Sequence, residues 1–446
     1  MRSSLPKVLH RVGGRTLLEA VLDTAESLLP SRVIAVLGAG REQVQTALEG
    51  RAVTVVIQDP PLGTGDAARA AVSALADGDG PVLVLSGDVP LLTKETLEAL
   101  LECQRRGGLD LSFLSFRPPE PGEFGRVVRD RSGRVHRIVE ARNASEKEKR
   151  LTEVNAGVYC FAARALPRAL EKLAANDVTG EYYLTDAVAI LAEAGGGVEA
   201  VEAADWREAW GINTRRDLAA AEEIERRRAL ERALDAGATV LDPATTRIGA
   251  HVRVEPDTVI HPFVSLEGKT VLGEGCEVLP FTRIADSVVA ARAVVGPHCD
   301  VDGATIGQRA RVGPFSRVRP GTVLEEDVRI GNFVETKKAT LRKGAKALHL
   351  AYIGDAEVGA SANIGAGVIT CNYDGEKKHK TTIGEGAFIG SDSQLVAPVT
   401  VGKGAYVGAG STVTRDVPED ALAVSRVPQK NLEGWAARRR ARKDSR

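Results

Sequence analysis

Along the C-terminal half of the chain an aliphatic residue returns at every sixth position. One run is Ile248, Val254, Ile260, Leu266, Leu272, Val278 and Ile284, a second Ile306, Val312, Val318, Leu324 and Ile330, a third Ile383, Ile389, Leu395, Val401, Val407 and Val413. An amphipathic helix repeats on about 3.6 residues and a strand on two. A return on six predicts a parallel β-helix, in which each short strand ends in a tight corner and the next begins. Gly follows the aliphatic residue in Ile383-Gly384, Ile389-Gly390, Val401-Gly402 and Val407-Gly408, where it is expected to supply the backbone angles of a corner. The coil is predicted from about Val240 to about Val417. Each turn buries its core only against the next.

The N-terminal half has another texture. Val33–Leu37, Val53–Ile57, Val82–Leu85 and Leu111–Leu114 read as buried parallel strands, and Leu17–Leu29 and Ala67–Leu75 as helices between them. Alternation of this kind predicts an α/β sheet covered by helices, with ligands at the carboxyl ends of the strands. Residues 214–236, rich in Ala, Glu, Arg and Leu without Pro or Gly, read as one long connecting helix. The expected organisation is a domain at 1–213, a linker helix at 214–236, a β-helix domain at 237–429, and a basic tail at 430–446, irregular from Pro428.

Composition narrows this picture. An aromatic share of 4% within a hydrophobic share of 43% suits a narrow core of small aliphatic side chains. A net charge of −1 leaves no footprint for nucleic acid; the one basic run is Arg438–Lys443, read as a solvated end or an auxiliary phosphate contact. Five scattered cysteines without a C-x-x-C pair argue against a disulfide framework or zinc site and suit a reducing cytosol. No apolar stretch approaches the roughly 20 residues of a membrane span, and the first residues lack a signal-peptide core.

Candidate chemistry lies at strand ends and where the sixfold rhythm stops. Leu85-Ser86-Gly87-Asp88-Val89-Pro90 sets a carboxylate just past a strand, suited to a metal–nucleotide complex, although Gly-Asp-x-Pro is also ordinary turn chemistry. Gln58 and the Leu62-Gly63-Thr64-Gly65 loop allow close approach to a planar base. Between Leu341 and Ile383 the rhythm breaks and polar residues gather, including His349, Tyr352, Asn363 and Thr370–Lys378. The last stretch is too long and charged for a corner, so it is expected to loop out from the rigid coil, where sites tend to be built. His349 is the natural general base, because imidazole titrates near neutrality; Glu335 is a carboxylate candidate nearby.

Taken in order, Leu5-Pro6-Lys7-Val8-Leu9, Gln58…Leu62-Gly63-Thr64-Gly65, Gly87-Asp88-Val89-Pro90, Phe124-Gly125-Arg126-Val127, Ile138-Val139-Glu140, Val154-Asn155-Ala156-Gly157 and Gly211-Ile212-Asn213 resemble the sugar-nucleotidyltransferases. With the β-helix behind them, the whole chain resembles the family of bifunctional N-acetylglucosamine-1-phosphate uridyltransferases/glucosamine-1-phosphate N-acetyltransferases. The resemblance implies a Rossmann-like domain joined by a helix to a left-handed parallel β-helix. It implies Lys7 on nucleotide phosphate, Gln58, Gly63 and Thr64 on uracil, Gly125, Glu140 and Asn155 on the sugar, and Mg²⁺ on Asp88 and Asn213. In the β-helix it implies His349 as base with Glu335 in support, and glucosamine-1-phosphate on Arg319, Lys337, Tyr352, Asn363 and Lys378. Acetyl-CoA would run along Ala366, Asn372, Tyr373, Ser391, Ala409 and Arg426. UTP is the other co-substrate, and a cytosolic homotrimer without membrane or nucleic-acid partners is implied.

One departure stands out. Members of the family open with a buried strand and a loop reading roughly Leu-Ala-Ala-Gly-x-Gly-Thr-Arg-Met, followed shortly by the Leu-Pro-Lys motif, and here Met1 falls where that opening motif ends. The expectation is that the native start lies upstream of this sole methionine. The alternative is a truncated chain whose uridyltransferase half is inactive and whose β-helix is an acetyltransferase only. A third reading, a non-enzymatic regulatory protein of like architecture, has no need of His349 and Lys378.

Overall fold

The computed structural model describes residues 1–38, 41–75, 80–177 and 179–444. They divide into two units, Met1–Glu225 and Arg226–Arg446, each with its own core.

In the first unit β1 (Ile34–Leu37) and β2 (Thr54–Ile57) pair in parallel, Ile34 opposite Thr54. A second, mixed sheet holds β3 (Val82–Val84), β4 (Leu111–Phe116), β5 (Arg126–Arg129), β6 (Val135–Val139), β7 (Val154–Phe161) and β8 (Val198–Glu202). The parallel arrangement read from the sequence holds for β1 with β2 and for β8 beside β4. It fails for β3 and β4, which both run antiparallel to β7. The cause is β7 itself, an eight-residue strand buried over nearly its whole length. In the sequence it passed as the motif Val154–Gly157. β2 is also less buried than expected, with Thr54 and Ile57 exposed.

Among the described residues β1 and β3 each pair on one side only, and no ladder joins the two sheets. Helix Leu17–Glu26 starts at a capping box, with Thr16 Oγ1 accepting from the Glu19 N–H and the Glu19 carboxylate accepting from the Thr16 N–H at 2.6 Å; such caps contribute about 1 kcal/mol. Thr64–Val72 begins three residues before the predicted helix because Gly63 serves as its N-cap.

The long helix is present as Arg215–Asp235, and the boundary between units falls inside it rather than at residue 213. In the first unit Glu222 accepts the Gly13 N–H at 2.8 Å and Glu225 pairs with Arg15 at 3.3 Å. In the second, Ala229 and Ala233 are buried in the β-helix core.

Among the described residues the second unit is a parallel coil of two- and three-residue strands with two strands of nine, a nineteen-stranded ladder folded round two faces and a nine-stranded ladder on the third. Ile260, Val278, Val295, Val312, Ile330, Ala347, Ile364, Ile389 and Val407 stack in register up one face, and all are buried. Full burial of one such aliphatic contributes about 1.5–3 kcal/mol. The break read between Leu341 and Ile383 is smaller than expected. The coil continues through Ala347, Ile353, Val358, Ile364 and Thr370, every one buried. Ala and Thr at two core positions, and one step of five residues rather than six, hid it.

The corner glycines act differently from the expectation. Gly384, Gly390 and Gly402 are not in the left-handed region. A Cβ on any of them would lie 2.5 Å from a backbone N of the next coil (Lys403, Ala409 or Glu419), so what they supply is close approach. Left-handed corners are instead filled by Phe263, Phe281, His298, Phe315 and Phe333, with φ from 53° to 60°. Their rings stack at 4.8–5.5 Å along the outside of the coil, and contact between neighbouring rings offsets the backbone strain. The tail is helical over Trp435–Asp444 instead of irregular, in keeping with its Ala and Arg content.

Candidate active sites

In the first unit the implied residues form one continuous line. Pro6 leads into the turn Lys7–Leu9, which sets the Lys7 ammonium against the Asp88 carboxylate and 2.9 Å from Asn213 Oδ1. Asp88 is carried on the loop after β3, and its carbonyl accepts the Ile212 N–H at 2.8 Å, which holds Asn213 beside it. Ser86, two residues before Asp88, donates to Gly157 O at 3.3 Å and so ties this loop to β7.

Asn155, also on β7, accepts the Gly157 N–H at 3.1 Å and donates to the Tyr159 hydroxyl at 2.8 Å. Its own N–H donates to Gly125 O at 2.8 Å, and a Cβ on Gly125 would lie 3.8 Å from Glu140 Oε1. Glu140 accepts from Thr185 Oγ1 at 3.0 Å, and burial pushes its carboxyl above the usual range. Thr185 follows Leu184, whose N–H donates to Thr64 Oγ1 at 3.1 Å.

Gly63 has φ 100°, and a Cβ there would sit 2.6 Å from Tyr182 O; both facts require glycine. The Gln58 amide nitrogen donates to Gly63 O at 3.0 Å and Asp66 Oδ2 at 2.8 Å, which leaves its carbonyl oxygen to accept from a ligand. A cavity of about 330 Å³ opens beside Gln58, flanked by an Arg41–Asp59 pair at 2.7 Å. Sequence reasoning missed that pair, since nothing in the spacing of the two residues signals that they meet.

Two oxygen donors, the Asp88 carboxylate and the Asn213 carbonyl, converge on one cation. That is the donor set a hard divalent ion takes when phosphate and water complete its shell. Among the described residues no group of three or more His, Cys, Asp or Glu is placed to cage a metal.

In the second unit the site lies on β9 (Arg329–Lys337) and β10 (Lys346–Gly354), the two longest strands of the coil. Their register sets Asn332 opposite His349 and Glu335 opposite Tyr352. His349 Nδ1 lies 3.1 Å from Asn332 Oδ1. Glu335 does not touch His349 in any recorded bond; it takes Arg319 Nη1 at 2.6 Å. Its partner is therefore the arginine, one coil below.

Lys378, then Arg319, stand close enough to hold the Lys337 ammonium below the ordinary lysine range. Cations gathered against their own repulsion suit a dianion. Asn372 is buried, donating to Asp355 Oδ2 at 2.6 Å and to the Tyr352 hydroxyl at 3.4 Å. Its amide is thus held between Tyr352 and Asp355. Asp355 was missed by sequence reasoning.

Thr370 and Cys371 stay in the coil, and the chain leaves it from Asn372, its outer part a closed hairpin. Tyr373 and Lys378 bridge, the Tyr373 hydroxyl donates to Gly375 O, and Asp374 accepts the N–H groups of Glu376 and Lys377 at 2.8 and 2.7 Å. His379 Nε2 lies 2.6 Å from Asp374 Oδ2. Ala366, Ser391 and Ala409 stand on successive coils above His349, linked by Asp392 N–H to Ala366 O and Gly410 N–H to Ser391 O; Arg426 donates to Ala409 O. Asn363 stands in register one coil above Lys346.

Residues 1–192 match a MobA-like NTP transferase domain, 248–349 a GMPPB C-terminal domain, and 380–415 a bacterial transferase hexapeptide of six repeats. Over 435 residues the chain is 47% identical to the bifunctional protein GlmU of Alkalilimnicola ehrlichii, covering 98% of this chain and 93% of that one. The bifunctional protein GlmU of Sorangium cellulosum is 47% identical over 449 residues, 99% and 94% of the two chains. The bifunctional protein GlmU of Geobacillus thermodenitrificans is 45% identical over 445 residues, 100% and 96%. The chain belongs to the bifunctional GlmU family. The two halves of a GlmU chain, a nucleotidyltransferase domain and a hexapeptide coil, are the two units seen here. No described helix is long and apolar enough to cross a membrane.

Proposed function

We propose that this GlmU chain makes UDP-N-acetylglucosamine in two steps. The second unit transfers acetyl from acetyl-CoA to the amine of glucosamine-1-phosphate. The first unit joins the product to the uridylyl group of UTP and releases pyrophosphate. The observation that carries the reading is the meeting of His349, Tyr352 and the Arg319–Lys337–Lys378 cations on adjacent coils, at the foot of the line Ala366, Ser391, Ala409.

The cations take the sugar phosphate and so fix the amine beside His349, which removes its proton as nitrogen attacks the thioester carbonyl. Coils rise about 4.8 Å each, so the line to Ala409 gives an extended CoA arm roughly 14 Å of wall, with Tyr373 and Arg426 at its margins. Asn363 and Tyr352 complete the sugar side.

In the first unit Lys7 neutralises phosphate charge, the Gln58 carbonyl with Gly63 and Thr64 reads uracil, and Gly125, Glu140 and Asn155 hold the sugar. Asp88 and Asn213 would hold Mg²⁺, which when bound supplies charge neutralisation for phosphoryl transfer. His349 is exposed on the single chain, and a homotrimer of coils would close the groove over it. A reducing cytosol suits the free cysteines.

The test is to assay the 446-residue chain for CoA release with glucosamine-1-phosphate, and for pyrophosphate release with UTP, Mg²⁺ and N-acetylglucosamine-1-phosphate. Both activities are expected. Acetyl transfer alone would leave the first unit as a scaffold, and neither would overturn the reading.

A further inference from the structure

We infer that Asn332 is the positioning residue for the acetyl-transfer base: its side-chain carbonyl accepts the Nδ1 proton of His349 and thereby presents Nε2, unprotonated, to the acceptor amine. The inference rests on the reading of His349 as the base.

The repeat itself singles out this pair. Following the register up one corner of the coil, the same position is held by Pro262, Pro280, Pro297 and Pro314, then by Asn332, then by His349. Proline suits a corner because its φ is fixed and no N–H there needs a partner. Proline stops at Asn332, the coil directly beneath His349, and the column goes on above through Ala366, Ser391 and Ala409. A corner under no demand but folding has no reason to change there.

Geometry agrees. Nδ1 and Oδ1 are 3.1 Å apart, within hydrogen-bonding range. An amide carbonyl can only accept, so the proton of a neutral imidazole goes to Nδ1 and the lone pair to Nε2. Gly331, immediately before Asn332, lets the strands close at this point: a Cβ there would lie 1.9 Å from Leu348 O. No other recorded partner competes for the ring. The charged residues of β9 are Arg329, Glu335 and Lys337, that of β10 is Lys346, and Asn363–Gly367 above carries none. Among the described residues no hydrogen bond or ion pair joins any of them to His349, and Glu335 is taken by Arg319.

The step balances without another group. Nε2 takes a proton from the amine as the C–N bond forms at the thioester carbonyl. The C–S bond breaks, and the leaving CoA thiolate takes that proton back from the imidazolium. While the ring is charged, the Asn332 carbonyl still accepts from Nδ1.

The experiment compares full-length wild type, Asn332→Leu, Asn332→Asp and His349→Ala by steady-state acetyl transfer from pH 5.5 to 9.5, with melting temperatures to confirm folding. Asn332→Leu should lower kcat about 10–100-fold, the loss expected of one hydrogen bond to a group that becomes charged, with each KM within about twofold. Asn332→Asp should restore most of kcat and move the acid limb of the profile up by about one pH unit or more, because a carboxylate beside Nδ1 favours imidazolium. An unchanged kcat in Asn332→Leu, or an unmoved profile in Asn332→Asp, would overturn the inference while an inactive His349→Ala kept the base reading intact. Full acetyl transfer by His349→Ala would overturn the base reading itself.

Discussion

Lys378, nearby and of like charge, holds Lys337 below the ordinary lysine range. A bound phosphate relieves that repulsion. Replacing Lys378 with Ala should therefore raise KM for glucosamine-1-phosphate about 10–100-fold, the loss of one charge-assisted contact, while KM for acetyl-CoA changes little; initial-rate kinetics check this. Glu140 gives the opposite bargain between stability and binding. Burial raises its carboxyl, so its contribution favours folding below the unfolded carboxylate pKa of about 4.3 and is lost as pH rises through the raised folded value. Glu140→Gln should raise the melting temperature at pH 7 more than at pH 4, and should weaken uridylyl transfer through a higher KM for the sugar phosphate. These residues were legible in the sequence through the resemblance to the family, which implies a role for each. Their partners were not. Glu335 with Arg319, Asn332 with His349 and Asp355 with Asn372 lie about one coil apart, and coil register is invisible until it is known which steps take five residues and which six.

At the scale of elements, the stacked rings Phe263, Phe281, His298, Phe315 and Phe333 close left-handed corners. Phe315 touches a ring on either side, at 4.8 and 5.5 Å. An aromatic pair contributes about 0.5–1.5 kcal/mol, so Phe315→Ala should destabilise the second unit by roughly 1–3 kcal/mol, read by denaturant melts, and Phe315→His should recover part of it. The hairpin Asn372–His379 is held by Asp374, which backbone N–H groups, Lys377 first, and His379 keep far below the usual carboxylate range. Asp374→Ala should leave the melting temperature within about 2 °C, since the hairpin is exposed and outside the core, yet raise KM for glucosamine-1-phosphate by freeing Lys378. The sixfold rhythm made the coil and the extruded loop readable from the chain alone. The same rhythm overstated the break, because Ala347 and Thr370 fill core positions without being large aliphatics. In the first unit the apolar runs marked the strands, but direction is set by partners distant in sequence, and β7 turned two of them antiparallel to their neighbour.

At the scale of the whole molecule, the boundary between two units with separate cores falls within one helix, and each unit carries the residues implied for one of the two proposed reactions. Family membership follows from identity over nearly the whole chain; the division of labour follows from where the chemistry sits. Every implied residue of uridylyl transfer lies before Glu225 and every implied residue of acetyl transfer after Arg226, so damage to one site should spare the other. The sequence made that division visible because the residue texture changes from alternating strands and helices to a sixfold repeat, with the long helix between. It did not show that the strands of the first unit fall into separate ladders. The most direct measurement is CoA release and pyrophosphate release, assayed side by side, for wild type, His349→Ala and Asp88→Ala. The account predicts that His349→Ala loses at least 100-fold in CoA release with pyrophosphate release unchanged, and that Asp88→Ala does the reverse. Loss of both activities in either variant with the fold intact, or persistence of CoA release in His349→Ala, would contradict it.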